Sequence, residues 1–233
     1  MTNRVLVFSA HPDDEVLGCG GAIAHHRSKS DPVGVCYLSE GISSRFSHKQ
    51  FLEPSLWKEL QKDREEMASA ASKILDFEIL DFLRLPNLRM EDQPLLDIVK
   101  SLITIISNYD PHTVYVNHPG DLNTDHRVTF DAVYTALRPA PNHNVKIIRT
   151  YEVLSSTEWA PNINTRAFVP DTFIDISNHF KQKIDGVRAY GHEMRPPPHP
   201  RSEEVIRSLA SYRGAQAGQL LSEAFVTIRQ LLD

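Results

Sequence analysis

VLVFSAHPDDE, residues 5–15, is an apolar run broken by a proline and three acids. The alternation of Val, Leu, Val and Phe suits a buried strand, and Pro12, which has no N–H to donate, ends the pairing. Helical spacing follows over 15–28, so the stretch reads as a strand handing over to a helix. The same alternation continues outward. VGVCYL (33–38), FEILDF (77–82) and TVYVN (113–117) are short and bounded by turn residues, which predicts strands. Residues 56–75 and 92–108 between them are helical in pattern, with Leu95, Ile98, Leu102 and Ile105 on one stripe. A further helix is expected from Asp125 to Leu137, stopping before Pro139. This order predicts an α/β, Rossmann-like fold: a mostly parallel sheet with helices on both faces. After residue 145 the pattern loosens. KIIRTYEVL (146–154) and TFIDI (172–176) read as strands, and 177–190 and 202–213 as helices. No linker composition or repeat divides the chain, so residues 1–233 are expected to form one domain, with RPPPHPR (195–201) a rigid loop.

Composition removes several function classes. With 233 residues, 41% of them hydrophobic, the chain can bury one substantial core. A net charge of -5 leaves no basic footprint for nucleic acid. No apolar run reaches the roughly eighteen residues of a membrane span, and the N-terminus lacks the pattern of a signal peptide. Cys19 and Cys36 do not form a CxxC pair and fall in a helix and a strand, so no disulfide is expected and a cytoplasmic location is. The apolar C-terminal stretch LLSEAFVTIRQLL (220–232) would either close the domain's own core or pack on a neighbour in a homo-oligomer.

In open parallel sheets, ligands bind beyond the carboxyl ends of the strands. Three polar stretches leave those ends: HPDDE after the first strand, SEGISSRFSH (39–48) after the second and HPGDLNTDHR (118–127) after the fourth. His11 would stand at the strand end, with Asp13 and Asp14 in the turn. Adjacent side chains diverge, so one carboxylate can bind a metal while its neighbour faces the metal's open side. Asp125-His126 would supply a third ligand, and two histidines with one carboxylate make a catalytic zinc composition. Alternatively, acids at a helix N-terminus are ordinary caps. The two segments, both at strand ends, favour the metal.

AHPDDE, followed by the glycines of GCGG (18–21) and by the later Asp125-His126, resembles the PIG-L/LmbE-like family of zinc-dependent N-acetylglucosaminyl deacetylases. LSEGISSR (38–45), EVLSSTEW (152–159) and PHPRS (198–202) extend the resemblance over most of the chain. It implies that His11, Asp14 and His126 hold Zn²⁺, that Asp13 is the general base, and that Asp125 is the acidic residue of the second motif. Many members read His-x-Asp-His there, with the first histidine assisting as acid or oxyanion stabiliser. This chain has Asn123-Thr124-Asp125-His126 instead. Asn123 can donate a hydrogen bond to substrate but cannot deliver a proton. His199 is the first candidate for the acid and His118 the second. The implied reaction is hydrolysis of an N-acetylated amino sugar or sugar conjugate to the amine and acetate. Asp13 would take a proton from water, and the metal with Asn123 or His199 would stabilise the oxyanion. Another acyl group, a non-sugar amide, or a non-catalytic sugar-binding protein on the same fold are the alternatives.

Arg45, where the family often places a substrate-binding arginine, and Arg201 are candidates for gripping substrate. Asp121 is expected to be structural, Ser202 to cap the next helix, and Trp159 to edge the pocket. Glu193 would line the pocket or cap a helix. GCGGA (18–22) is not a dinucleotide loop, because HPDDE already occupies the first strand-to-helix turn and its acids would repel phosphate. The glycines are instead expected to let the helix pack closely on the sheet.

Overall fold

The computed structural model describes residues 3–139, 143–161 and 167–232. Its elements run β1 (Val5–Ser9), α1 (Asp14–Ser28), β2 (Val33–Ser39), α2 (His48–Phe51), α3 (Lys58–Leu75), β3 (Glu78–Leu85), α4 (Leu95–Tyr109), β4 (Thr113–Asn117), α5 (Thr124–Ala136), β5 (Ile147–Tyr151), β6 (Thr172–Asp175), α6 (Phe180–Ala189), α7 (Glu203–Ala217) and β7 (Ser222–Gln230). They build one seven-stranded sheet in the order β3-β2-β1-β4-β5-β7-β6. The first five strands in that order are mutually parallel, and β7 runs antiparallel to both β5 and β6.

Pleat alternation sends the side chains of β1 to two cores. Val5 and Val7 pack with residues of α1, α3, α6 and α7, whereas Leu6 and Phe8 pack with those of α4 and α5. Helices therefore cover both faces, as the sequence pattern predicts. The C-terminal stretch joins the same sheet as β7, between β5 and β6.

The glycines of α1 set how closely it lies on the sheet. A Cβ on Gly18 would overlap the Tyr151 ring, and one on Gly21 would sit 2.6 Å from Ile176 Cγ2. The helix also breaks at Cys19, whose φ of -142° is not helical. Glu223 satisfies the amides exposed there, accepting from Gly21 N at 2.9 Å and Ala22 N at 2.7 Å. Lys183 Nζ completes the splice, donating to Leu17 O at 2.7 Å and Glu223 Oε1 at 2.5 Å. The first turn of α1, which carries Asp14 and Glu15, is thus fixed separately from the rest of the helix.

Candidate metal and catalytic site

Strand order reverses direction between β1 and β4: β2 and β3 lie on one side, β5 on the other. That is the switch point at which open α/β sheets bind ligands. HPDDE leaves β1 there, and HPGDLNTDHR leaves β4 beside it.

His11, Asp14 and His126 converge from these two stretches. One ligand atom from each lies within 4.8 Å of the others, and all three residues are buried. His11 Nδ1 is 3.4 Å and His126 Nε2 3.2 Å from Asp14 Oδ2. The opposite ring nitrogens face carboxylates. His11 Nε2 lies 2.9 Å from Asp125 Oδ2, and His126 Nδ1 makes an ion-pair contact with Asp121 Oδ2 at 3.1 Å. Metal-ligating histidines are usually held this way, one nitrogen on the ion and the other on a carboxylate that fixes the tautomer. The donor set therefore fits a divalent cation. The electrostatics agree. Burial opposes charge on the rings, but Asp125 and Asp14 push His11 up to about 9, and Asp14 and Asp121 push His126 up to about 10. Against its own burial, Asp14 is held well below the usual carboxylate range by His126 and His11.

Asn117, at the end of β4, ties the motifs together. Its Nδ2 donates to Asp14 Oδ2 at 3.1 Å, and its Oδ1 accepts from Ala10 N at 3.0 Å and Tyr151 Oη at 3.1 Å. Gly18 is what lets the Tyr151 ring lie against α1 and reach this amide.

Asp13 does not cap α1 with its side chain, despite standing at the N-cap position. Its φ of 124° is rare outside glycine, and such conformations concentrate at functional sites. Glu15 Oε2 accepts the Asp13 N–H at 3.0 Å, and Tyr190 Oη donates to Glu15 Oε1 at 2.6 Å. Burial pushes Glu15 up to about 7. Asp13 Oδ2 accepts from Arg64 Nη2 at 2.7 Å and Arg201 Nη1 at 2.8 Å, and none of the described residues donates to Oδ1. A cavity of about 190 Å³ opens on this carboxylate, lined also by His11, His126, Asn123, Arg45, Arg201 and Glu193. Arg45 Nη2 donates to Glu193 Oε1 at 2.5 Å. Asn123 caps α5 with Oδ1, accepting from Asp125 N at 2.9 Å, and is one of the residues lining the cavity.

Other expected residues lie further back. Asp125 is fully buried behind the His11 ring, and besides His11 it accepts from Leu88 N at 2.7 Å and Met90 N at 3.3 Å. Asp121 accepts from Asn123 N and Thr157 Oγ1 at 2.9 and 2.6 Å, and from Ser156 Oγ, a structural arrangement. His199 and His118 are not in the cavity lining. His199 Nδ1 accepts from Arg201 N at 3.1 Å, and its ring meets Trp159 edge-on at 6.1 Å. His118 lies against Thr150 and Phe168. Trp159 itself is half-exposed outside the lining. Ser202 caps α7, accepting from Val205 N at 3.3 Å. Sequence reasoning missed Arg64, although a signal was present. Arg64, Ala68, Ala71 and Leu75 form the buried face of α3, and an arginine on such a face needs an acidic partner.

Residues 6–137 match the family model described as PIG-L, GlcNAc-PI de-N-acetylase. The chain belongs to this family of deacetylases. It is 27% identical over 181 residues to the uncharacterized deacetylase YaiS of Escherichia coli (strain K12), covering 76% of this chain and 83% of that protein. It is 31% identical over 147 residues to a probable N-acetyl-alpha-D-glucosaminyl L-malate deacetylase 2 of Bacillus subtilis (strain 168), covering 59% and 62%. Its fold matches the N,N'-diacetylchitobiose deacetylase of Pyrococcus horikoshii with a TM-score of 0.74 at 20% identity, over 97% of this chain and 84% of that one.

Proposed function

We propose that the chain is a zinc-dependent hydrolase that removes the acetyl group from an N-acetylated amino sugar or sugar conjugate. The observation that carries this reading is the juxtaposition of a His-Asp-His metal set with an uncommitted oxygen of Asp13 on one cavity, in a chain of de-N-acetylase kinship. A zinc ion held by His11, Asp14 and His126 would supply a Lewis acid and lower the pKa of a water beside it. The named relatives that act on N-acetylglucosaminyl compounds support the substrate class. Two free, buried cysteines suit a reducing cytoplasm.

The protein's own groups divide the remaining work. Arg64 and Arg201 fix Asp13 through Oδ2, so Oδ1 is the base that takes a proton from water. With His199 and His118 outside the cavity lining, we assign the return of that proton to the leaving amine to Asp13 as well. Asn123, which lines the cavity, would donate its side-chain amide to the developing oxyanion. Asp125 and Asp121 orient the two imidazoles. Metal analysis of the purified protein, combined with acetate release across a panel of N-acetylglucosamine derivatives, tests the reading. Bound zinc with no hydrolysis anywhere on the panel would refute it.

A further inference from the structure

Glu193 has no part in the reaction as described, yet it joins the cavity's arginines. It ends a 3-10 turn, Gly191–Glu193, that follows α6. Its Oε1 accepts from Arg45 Nη2 at 2.5 Å and lies 2.7 Å from Arg64 Nη1, and its Oε2 accepts from Arg201 Nη1 at 3.0 Å. Arg64 and Arg201 also both hold Asp13 Oδ2. The four groups close a ring, Asp13–Arg64–Glu193–Arg201, in which each guanidinium bridges the two carboxylates. The ring is neutral. Arg45 is the surplus cation, and its side chain is 48% exposed at the rim, whereas those of Arg64 and Arg201 are 5% and 18% exposed.

A pocket containing three arginines would ordinarily be taken for an anion site. Here the two inner guanidiniums are already engaged by carboxylates of the chain itself. A phosphate or carboxylate brought beside Asp13 would find both inner guanidiniums occupied and would have to displace Glu193 to reach Arg64 or Arg201. Guanidiniums already bridged by the chain's own carboxylates offer a competing anion no open partner, and withholding a partner is how such a site discriminates. We propose that Glu193 is a specificity-determining residue: it closes the wall beside Asp13 to anions, so that the substrate is an amino sugar uncharged at the carbons flanking its acetamido group. The inference rests on the deacetylase reading above and narrows its substrate class.

The test compares two sugars that differ in charge at the carbon next to the acetamido carbon, methyl N-acetylglucosaminide and N-acetylglucosamine 1-phosphate. The zinc-loaded wild type should favour the methyl glycoside in kcat/KM by about tenfold or more, and Glu193→Gln should shrink that ratio at least about tenfold. The same variant should bind inorganic phosphate at least about tenfold more tightly than wild type in calorimetry. The double variant Glu193→Gln/Arg45→Gln, which restores the wild-type count of surplus charge, should move both readouts back; it also separates electrostatics from damage to the fold. A wild type that prefers the phosphate ester overturns the proposal, as does a ratio or a phosphate Kd unmoved by Glu193→Gln. If wild type hydrolyses neither sugar, the deacetylase reading fails on those substrates, and the phosphate Kd alone decides the role of Glu193.

Discussion

Asp125 and Asp13 both come from acid-rich motifs, but they stand in different relations to the cavity. Asp125 is enclosed, its oxygens committed to His11 and to two backbone amides. Asp125→Asn should therefore weaken zinc binding by about 10- to 100-fold, measured by competition with a chromogenic chelator. A variant with wild-type zinc affinity and a reduced kcat would move Asp125 from positioning into the reaction. Asn117→Ala should weaken zinc binding similarly, because it frees the Asp14 carboxylate. Glu193 gives a prediction in pH. Burial alone would raise its pKa, but Arg64, with Arg45 and Arg201, holds it below the ordinary glutamate value. A carboxylate depressed in the folded state contributes stability above its unfolded pKa, and loses that contribution as pH falls through the lower folded value. The gap in melting temperature between wild type and Glu193→Gln should thus be full near neutrality and close below about pH 4. A gap that persisted or widened in acid would contradict the ring of charges.

At the scale of elements, the sequence pattern states local order well and spatial neighbours poorly. β1 and β4 match VLVFS and TVYVN residue for residue, because both are short apolar runs bounded by turn formers. Helix α3 begins at Lys58, and the polar stretch before it folds into the 3-10 turns Ser43–Arg45 and Pro54–Leu56 around α2, too short to show periodicity. β7 was visible only as an apolar stretch, since nothing local says that it inserts between β5 and β6. The candidate metal ligands were legible because His11 and Asp14 share one motif and His126 leaves the adjacent strand end. Arg64 and Asn117 were not, since each reaches the site from an element with its own structural reason to exist, while Glu193 reads as a pocket-lining or capping residue without its arginine partners. Close packing of α1 gives an element-level prediction. Gly18→Ala, which drives a methyl into Tyr151, should destabilise the fold by about 1–3 kcal/mol in urea unfolding. Gly20→Ala, whose nearest neighbour would be Lys183 Cγ at 3.4 Å, should be neutral or gain up to about 1 kcal/mol of helix propensity. Equal costs at the two positions would mean that close approach is not what the Gly18 position requires.

Across the whole molecule, the sheet's switch point brings two motifs more than a hundred residues apart onto one cavity, and both ends of the chain brace it. The turn leaving β1 carries His11 through Asp13 into α1, while β7, through Glu223, secures the broken helix that carries Asp14. Arginines from α3 and from the loop before α7 then meet on a single oxygen of Asp13. The reaction assigned to this assembly depends on that carboxylate as a base beside a separately held metal. The most direct measurement is acetate release from an N-acetylglucosaminide by zinc-loaded wild type and by Asp13→Asn, with zinc content determined on the same samples. Equal zinc in the two proteins is expected, with a kcat lower by about 10²- to 10⁴-fold in the variant. An Asp13→Asn protein that holds its zinc and turns over at the wild-type rate would contradict it.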